Sequence, residues 1–171
     1  MSESESENIE VNDLIYSINK EDNTATIIDN NVSNEEIIIP LSVKYGSHEY
    51  FVTGISNDAF TNCDSIRSIK FASDSKVRTI SADAFACSTI ESLSIPASVV
   101  ELEERWCADV LYLKQIEIDP KNPLYSTCDG NKYVIGKTSK EGKNFDVLIF
   151  APRNLKIANI PDFIKIIAPN A

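Results

Sequence analysis

The chain is short of positive charge and of long apolar runs. Its 171 residues contain 16 Lys and Arg against 26 Asp and Glu, which gives a formal net charge of −10. Because affinity for nucleic-acid phosphates comes mainly from Lys and Arg, this balance argues against a nucleic-acid partner. The longest apolar runs, such as Ile37–Ile39 and Val147–Ala151, fall far below the roughly 20 residues of a transmembrane helix. We therefore expect no membrane span.

Residues that build metal and catalytic sites are also scarce. The four cysteines, Cys63, Cys87, Cys107 and Cys128, form no C-x-x-C pair, so neither a zinc ribbon nor a redox motif is indicated. We interpret them as buried free thiols, with Cys63 and Cys87 filling turns between layers, because secreted disulfide scaffolds are denser in cysteine. The only histidine, His48, lies in no pattern that would pair a catalytic nucleophile with its base.

One stretch resembles a phosphate-binding loop but fails its spacing. Five residues separate Gly130 from Gly136 where that motif has four, and the stretch after Thr138 is polar and broken by glycine. The acidic residues Glu101, Glu103 and Glu104 are interpreted as a solvated turn face. The sequence therefore predicts no cofactor, no metal and no enzymatic activity, with a nucleotide-binding or hydrolytic enzyme as the remote alternative.

The dominant feature that is present is a repeat. Units begin at Ile55, Ile80 and Leu102, so the starts are 25 and 22 residues apart. Each unit opens with an apolar residue, which three polar or small residues and then a bulky pair follow. A strand of the form I-x-x-I-x-I follows each opening. This period lies in the range of leucine-rich repeats. We expect Asp58 and Asp83 to begin short helical turns, because an Asp there can accept backbone N–H groups.

The strand of each unit predicts which residues face the core. Apolar residues two apart share the inner face of a strand, so their neighbours face outward. We expect Phe60 and Phe85 to lie in the core, and we expect Trp106 to supply the same bulk in the third unit, where Trp106-Cys107 replaces Ala-Phe. The inner pairs are Ile69 and Phe71, Leu93 and Ile95, and Ile116 and Ile118.

The segments before and after the repeats belong to the same single domain, apart from an acidic start. The acidic start, residues 1–13, is predicted to be a disordered tail, and it lacks the cationic and apolar regions of a conventional secretion signal. Residues 14–171 form a single repeat domain. Within it we assign 14–54 to an N-terminal hairpin cap, 55–120 to repeats, 121–159 to a hairpin insertion and 160–171 to an incomplete next repeat.

These motifs resemble the BspA-like leucine-rich repeat family, whose members include surface antigens of parasitic protists and oral bacteria. The likeness covers roughly residues 14–171 and is carried by I-x-x-x-A-F-x-x-C at Ile55–Cys63, its shorter form at Ile80–Cys87, the recurring Ile-Pro and the N-P-L-Y-S-T-C-D-G segment from Asn122. The resemblance implies an α/β leucine-rich repeat solenoid with a parallel β-sheet, short helical turns or loops on the other side, and β-hairpin insertions. It also implies adhesion at the cell surface without catalysis.

The expected function is therefore binding of a host, matrix or microbial surface protein, and the alternative is a cytoplasmic interaction scaffold of the same fold. We also expect self-association through the C-terminal edge, where Ile164, Ile166 and Ile167 belong to an unfinished layer; either the sequence is part of a longer protein or this layer is exposed. The candidate binding face consists of the outward side chains Arg67, Ser68, Lys70, Glu91, Ser92, Ser94, Lys114, Gln115 and Glu117.

Overall fold

The computed structural model describes residues 6–153, 155–169 and 171. That part of the chain contains fifteen strands and no helix, so it holds no helix long and apolar enough to cross a membrane. The strands are β1 (Ser6–Val11), β2 (Leu14–Asn19), β3 (Thr24–Asn30), β4 (Glu36–Ile39), β5 (Ser42–Tyr45), β6 (His48–Ile55), β7 (Ser68–Phe71), β8 (Thr79–Ile80), β9 (Ser92–Ile95), β10 (Glu101–Leu102), β11 (Gln115–Ile118), β12 (Tyr125–Cys128), β13 (Tyr133–Lys137), β14 (Phe145–Phe150) and β15 (Ile166–Ile167).

The acidic start is a strand and not the predicted tail. β1 pairs antiparallel with β2, with Ser6 opposite Asn19, and the side chain of Ile9 is buried. Successive side chains of a strand alternate between its two faces, which explains why this acidic segment is ordered. Ile9 and Val11 share one face and pack on the core, while Glu10 on the other face is exposed. The prediction of a disordered tail is therefore wrong for residues 6–13, and residues 1–5 lie outside the described residues.

The predicted hairpins are confirmed. β2 and β3 pair antiparallel, as do β5 with β6 and β13 with β14. The tip between β5 and β6 contains Gly46 in the left-handed region, with φ of 63°. Such a turn favours glycine because it has no Cβ to clash.

Two sets of parallel strands form the solenoid. One sheet has the order β11-β9-β7-β4, and the parallel part of the other follows β3-β6-β8-β10, so the chain makes about four turns. β4 pairs in register with β7 although the sequence placed it in the cap. The parallel stack therefore begins one turn earlier than residue 55. The inner pairs of the three predicted strands all pack in the core, with Phe71 and Ile118 partly buried.

The turns that connect the two sheets are not helical among the described residues. Each has two left-handed residues four positions apart: Asp58 and Asn62, Asp83 and Cys87, and Arg105 and Asp109, all with φ between 53° and 65°. Asp58 and Asp83 therefore do not start helices as expected. Asp and Asn adopt this conformation more readily than other residues with a Cβ. Within these turns, N–H groups bond to the next layer, as Phe60 N does to Ala84 O at 2.8 Å.

An aromatic column runs along the solenoid core. Ring centroids lie 5.6 Å apart for Phe60 and Phe85, 6.3 Å for Phe85 and Trp106, and 6.1 Å for Trp106 and Phe150. The prediction that Phe60, Phe85 and Trp106 are core residues is confirmed, since none is more than 4% exposed. Phe150 comes from the hairpin insertion, which thus continues the column beyond the fourth turn.

Asn122 joins the insertion to the repeats. Its buried side chain donates from Nδ2 to the carbonyls of Pro96 and Val99, each at 2.9 Å, and accepts at Oδ1 from the N–H groups of Leu124 and Tyr125. Tyr125 then accepts at its hydroxyl from the N–H of Leu102 at 3.0 Å. The start of the N-P-L-Y segment is therefore a fixed connection between layers.

The C-terminal segment adds a short parallel strand. β15 pairs with β14, with Ile166 opposite Val147. The side chains of Ile157, Ile160, Phe163, Ile166 and Ile167 are exposed, and Ile164 is half-buried. This end of the molecule thus presents an apolar surface.

Candidate functional site

Six of the nine predicted face residues lie in β7, β9 and β11, and Arg67, Glu91 and Lys114 each directly precede one of these strands. Among these three, backbone bonds run from Glu91 N to Arg67 O at 2.8 Å and from Lys114 N to Glu91 O at 2.9 Å. Strand register places Ser68, Ser92 and Gln115 in one column and Lys70, Ser94 and Glu117 in a second. The fold therefore brings the six strand residues together on one outward sheet face, while Arg67, Glu91 and Lys114 form a row directly before the strands begin.

Ion pairs cross this face between neighbouring strands. Lys114 Nζ lies 3.0 Å from a carboxylate oxygen of Glu91, and Lys70 pairs with Glu36 of β4. Each partner of these pairs is 45% or more exposed in its side chain. Exposed pairs contribute roughly 0–1 kcal/mol each to stability. A ligand can therefore replace these partners at little cost to the fold.

Other face residues are held by hydrogen bonds. The Arg67 guanidinium donates to the carbonyl of Asp64 at 2.8 Å and to the hydroxyl of Thr89. Ser92 Oγ donates to Ser68 Oγ at 3.0 Å, and Gln115 Nε2 donates to Glu117 Oε1 at 2.8 Å. These bonds fix the side chains before any partner arrives, which reduces the entropy lost on binding.

The face encloses a shallow groove of about 180 Å³ between its columns, lined by side chains such as Ser68, Lys70, Ser94 and Glu117. Small-molecule sites usually measure about 300–1,000 Å³ and are largely apolar. This groove is smaller, and it is lined by polar side chains together with Ile69 and Leu93. Its dimensions suit the side chains of a protein partner better than a bound metabolite.

Two face residues were missed by reasoning from the sequence. Glu36 and Ile38 of β4 align with Ser68 and Lys70, and the side chain of Ile38 is 61% exposed. They were missed because residues 14–54 were assigned to the N-terminal cap and not to the repeats. The signal was present, because Ile39-Pro40 repeats the Ile-Pro that ends β9.

The enzyme-like string contributes packing and turns. Residues 133–137 form β13, no helix follows Thr138 in the described part of the chain, and a Cβ on Gly136 would lie 3.0 Å from the side chain of Ile149. Gly130 lies in a turn with φ of 66°. The two glycines thus serve close packing and a turn.

Acidic residues and cysteines are dispersed. Glu101 and Glu104 are exposed, whereas Glu103 accepts from the N–H of Ala82 at 2.9 Å. Among residues 6–153, 155–169 and 171, no three His, Cys, Asp or Glu side chains are grouped to hold a metal. All four cysteines are free thiols.

The environments of the thiols differ. Cys63 and Cys107 are buried, and burial raises the pKa of the Cys107 thiol. Cys128 is half-buried, with its thiol pKa raised by burial and by the charge of Asp129. Cys87 is exposed at a left-handed turn position, so its predicted burial is wrong.

The chain matches a known protein-family model. The model of the BspA type leucine-rich repeat region matches residues 29–129 in six copies. The matched range includes β4, in agreement with the earlier start of the parallel stack. A comparison with curated protein sequences found no significant match.

Solved structures that match the chain include a vaccine antigen and bacterial proteins described as leucine-rich. The crystal structure of the pneumococcal vaccine antigen PcpA matches with a TM-score of 0.56 and 16% identity, covering 95% of this chain and 61% of that protein. A leucine-rich cell surface protein from Faecalibacterium prausnitzii gives 0.41 and 16%, covering 94% and 66%. A leucine-rich repeat protein from Bacteroides capillosus gives 0.45 and 26%, covering 67% and 99%. The chain thus spans less than two thirds of the first two proteins, and the likeness to PcpA establishes the fold alone.

Proposed function

Because the chain belongs to the BspA-type leucine-rich repeat family, we propose that it is a non-enzymatic binding module whose outward face on β7, β9 and β11 contacts a protein ligand. The observation that carries this proposal is the alignment of six polar side chains in two columns on stacked parallel strands, bordered by a row of Arg67, Glu91 and Lys114 directly before them. Neighbouring parallel strands lie about 4.8 Å apart, so the side chains within a column repeat at this spacing and a protein can engage several of them at once.

The character of the face favours a polar protein surface over an apolar peptide. Its exposed charges are Lys70, Lys114 and Glu117, of mixed sign, and the two lysines are paired with Glu36 and Glu91. Mixed charges in fixed positions give orientation and specificity to an interface more than raw affinity.

We further propose display at the cell surface and adhesion to host, matrix or microbial surface proteins. Family membership supports this, as does the fold shared with a vaccine antigen. Antibody labelling of intact against permeabilised cells tests the location. Labelling only after permeabilisation would instead support the cytoplasmic scaffold.

Binding is tested by charge reversal on the face. We expect the triple variant Lys70→Glu, Lys114→Glu, Glu117→Lys to keep its fold, because all three side chains are exposed. We expect it to bind an immobilised extracellular-matrix protein preparation at least about tenfold more weakly, a change of about 1.4 kcal/mol. A matched control reverses Lys44, Lys76 and Glu49, which are equally exposed on other surfaces.

The hairpin tip is the rival surface. A variant in which residues 137–143 are replaced by Gly and Ser distinguishes the two. Loss of binding in that variant alone would move the site from the face to the tip. Wild-type protein that shows no saturable binding to any matrix or host protein preparation would contradict the adhesive function itself.

A further inference from the structure

A second groove lies where the parallel strands β7, β9 and β11 end. It encloses about 390 Å³ and is lined by residues 71–75, 94–98 and 117–121, which are the last residues of these strands and the turns that follow them. Parallel pairing in register brings the carboxyl ends of the three strands to the same end of the sheet. We name this space the end groove. It is larger than the shallow groove on the face, and its volume lies in the range of ligand sites, about 300–1,000 Å³.

The end groove is acidic. Its charged lining residues are Asp74, Glu117, Asp119 and Lys121, all of them exposed, so three carboxylates and one ammonium give a net charge of −2. In the described part of the chain, no Lys or Arg side chain forms an ion pair with these three carboxylates, in contrast to the ion pairs of the face. The end groove therefore presents carboxylates that a cationic ligand can bind without displacing a salt-bridge partner.

A buried hydroxyl accompanies the carboxylates. Ser98 is one of the lining residues, and its Oγ is buried with no hydrogen-bond partner among residues 6–153, 155–169 and 171. Buried polar atoms are nearly always hydrogen-bonded, so an unpaired one at a groove indicates a donor or acceptor supplied from outside the chain. A serine oxygen has two lone pairs that accept from an ammonium or a guanidinium group.

Backbone bonds hold the walls of the end groove in place. Asp119 N donates to Ile95 O at 2.9 Å, and Asp119 Oδ1 accepts from Lys121 N at 2.8 Å. On the other wall, Ser75 N donates to Ala72 O at 3.2 Å. Groups that are positioned before a ligand arrives lose little entropy on binding.

We propose that the end groove binds a basic segment of the protein ligand, with an Arg or Lys side chain of that segment among the three carboxylates. The inference rests on the proposed binding face, with which the groove is continuous, because Ser94 and Glu117 line both grooves. A segment that crosses the face can therefore extend into the end groove. Lys70, in the column of Ser94, does not oppose this, because it pairs with Glu36 on the far side of β7 from β9.

The charges favour a basic segment over a metal ion. Within the described residues, no three acidic side chains are grouped closely enough to hold a metal, so the carboxylates suit cationic groups that are spaced along a chain. The net charge of −10 also attracts a basic partner during diffusional encounter.

The test uses a fluorescein-labelled peptide in which Arg and Ser alternate, with fluorescence anisotropy measured on the full chain at low salt. The same peptide with citrulline, a neutral analogue of nearly the same shape, should bind at least about tenfold more weakly, because the interaction depends on charge. Asp74→Asn, Asp119→Asn should weaken binding of the Arg peptide at least about fivefold, and the asparagine at 119 keeps an acceptor for Lys121 N. Lys121→Gln should tighten binding about twofold or more, because it removes the opposing charge of the lining.

Two further variants check that the effect belongs to the groove. The control Glu21→Gln, Glu104→Gln removes two exposed carboxylates elsewhere and should bind as the wild type does. Equal weakening in this control would overturn the proposal, because it would indicate a general attraction to an acidic chain. Ser98→Ala should bind more weakly without loss of thermal stability, since it deletes an unpaired buried hydroxyl. Unchanged binding would overturn the place of Ser98 in the site.

The same variants separate this inference from the proposed function. Binding to the matrix preparation that Lys70→Glu, Lys114→Glu, Glu117→Lys weakens and that Asp74→Asn, Asp119→Asn leaves unchanged would retain the face and overturn the end groove. Saturable peptide binding that Asp74→Asn, Asp119→Asn weakens would support the end groove even if no matrix or host preparation binds, a result that contradicts adhesion alone. Wild-type protein that shows no saturable binding of the Arg peptide would overturn the inference.

Discussion

The alignment of equivalent positions between successive layers is tested most sharply by exchanging the sizes of Trp106 and Cys107 in the third unit. Phe60 N bonds to Ala84 O, and Phe85 N bonds to Trp106 O. In each case the N–H group bonds to the residue that precedes its equivalent in the next layer. By this register Phe60 aligns with Phe85, and Phe85 aligns with Cys107. The third unit therefore has Trp106 where the other units have alanine, and Cys107 where they have phenylalanine.

The single substitutions should both destabilise the fold. Trp106 is 4% exposed and contacts Phe85 and Phe150, so Trp106→Ala should cost about 3–5 kcal/mol through the cavity that remains. Cys107→Phe adds a ring beside the intact indole and should cost about 1–3 kcal/mol by overpacking. The exposed Tyr112 in the same turn region serves as the control, and Tyr112→Ala should change stability by no more than about 0.5 kcal/mol.

The double variant Trp106→Ala, Cys107→Phe restores the order found in the first two units. We expect a net cost of about 1–3 kcal/mol, well below the sum of the single costs, because the new ring fills the space that the indole leaves. Unfolding in urea should be followed by far-UV circular dichroism, since Trp106 is the only tryptophan and its fluorescence is lost in two variants. Additive costs would refute the register on which this reasoning depends.

Three further predictions follow from core packing, the Asn122 junction and a buried phenol. Phe60→Ala and Phe85→Ala should each cost about 3–5 kcal/mol, and melting of both within a degree or two of wild type would show that they are not core residues. Asn122→Ala should cost about 2–4 kcal/mol in urea unfolding, because the buried carbonyl of Val99 loses its side-chain donor and the N–H groups of Leu124 and Tyr125 lose their acceptor; an unchanged midpoint would contradict this, and exposed Asn144→Ala is the control. Burial raises the pKa of Tyr16 to about 12, so the folded state holds this proton more tightly than the unfolded chain and stability should fall as pH rises from about 10 to 12. Tyr16→Phe should lessen that fall in thermal unfolding measured across this pH range, and an identical decline in both proteins would refute the assignment.

The sequence by itself determined the period, the inner and outer faces of the strands and the three hairpins. These features depend on spacing along the chain, since residues two apart share a face of a strand and glycine-containing polar segments break it. The core positions of Phe60, Phe85 and Trp106 followed from the same spacing. The same spacing identifies the outward positions of the strands, such as Ser68 and Lys70, whereas their role in binding stays a prediction.

Only the tertiary structure decided which strands are neighbours. β1 is ordered because β2 offers it a partner and an apolar surface for Ile9, and neither is visible in the acidic composition of the start. β4 joins the face because its edge pairs with β7, and Phe150 extends the aromatic column because the insertion folds back over Trp106. The turns became left-handed and not helical because their N–H groups bond to the next layer, as Phe60 N does to Ala84 O. The contacts of β4, Phe150 and the turns join residues more than twenty positions apart, and local propensity does not encode them.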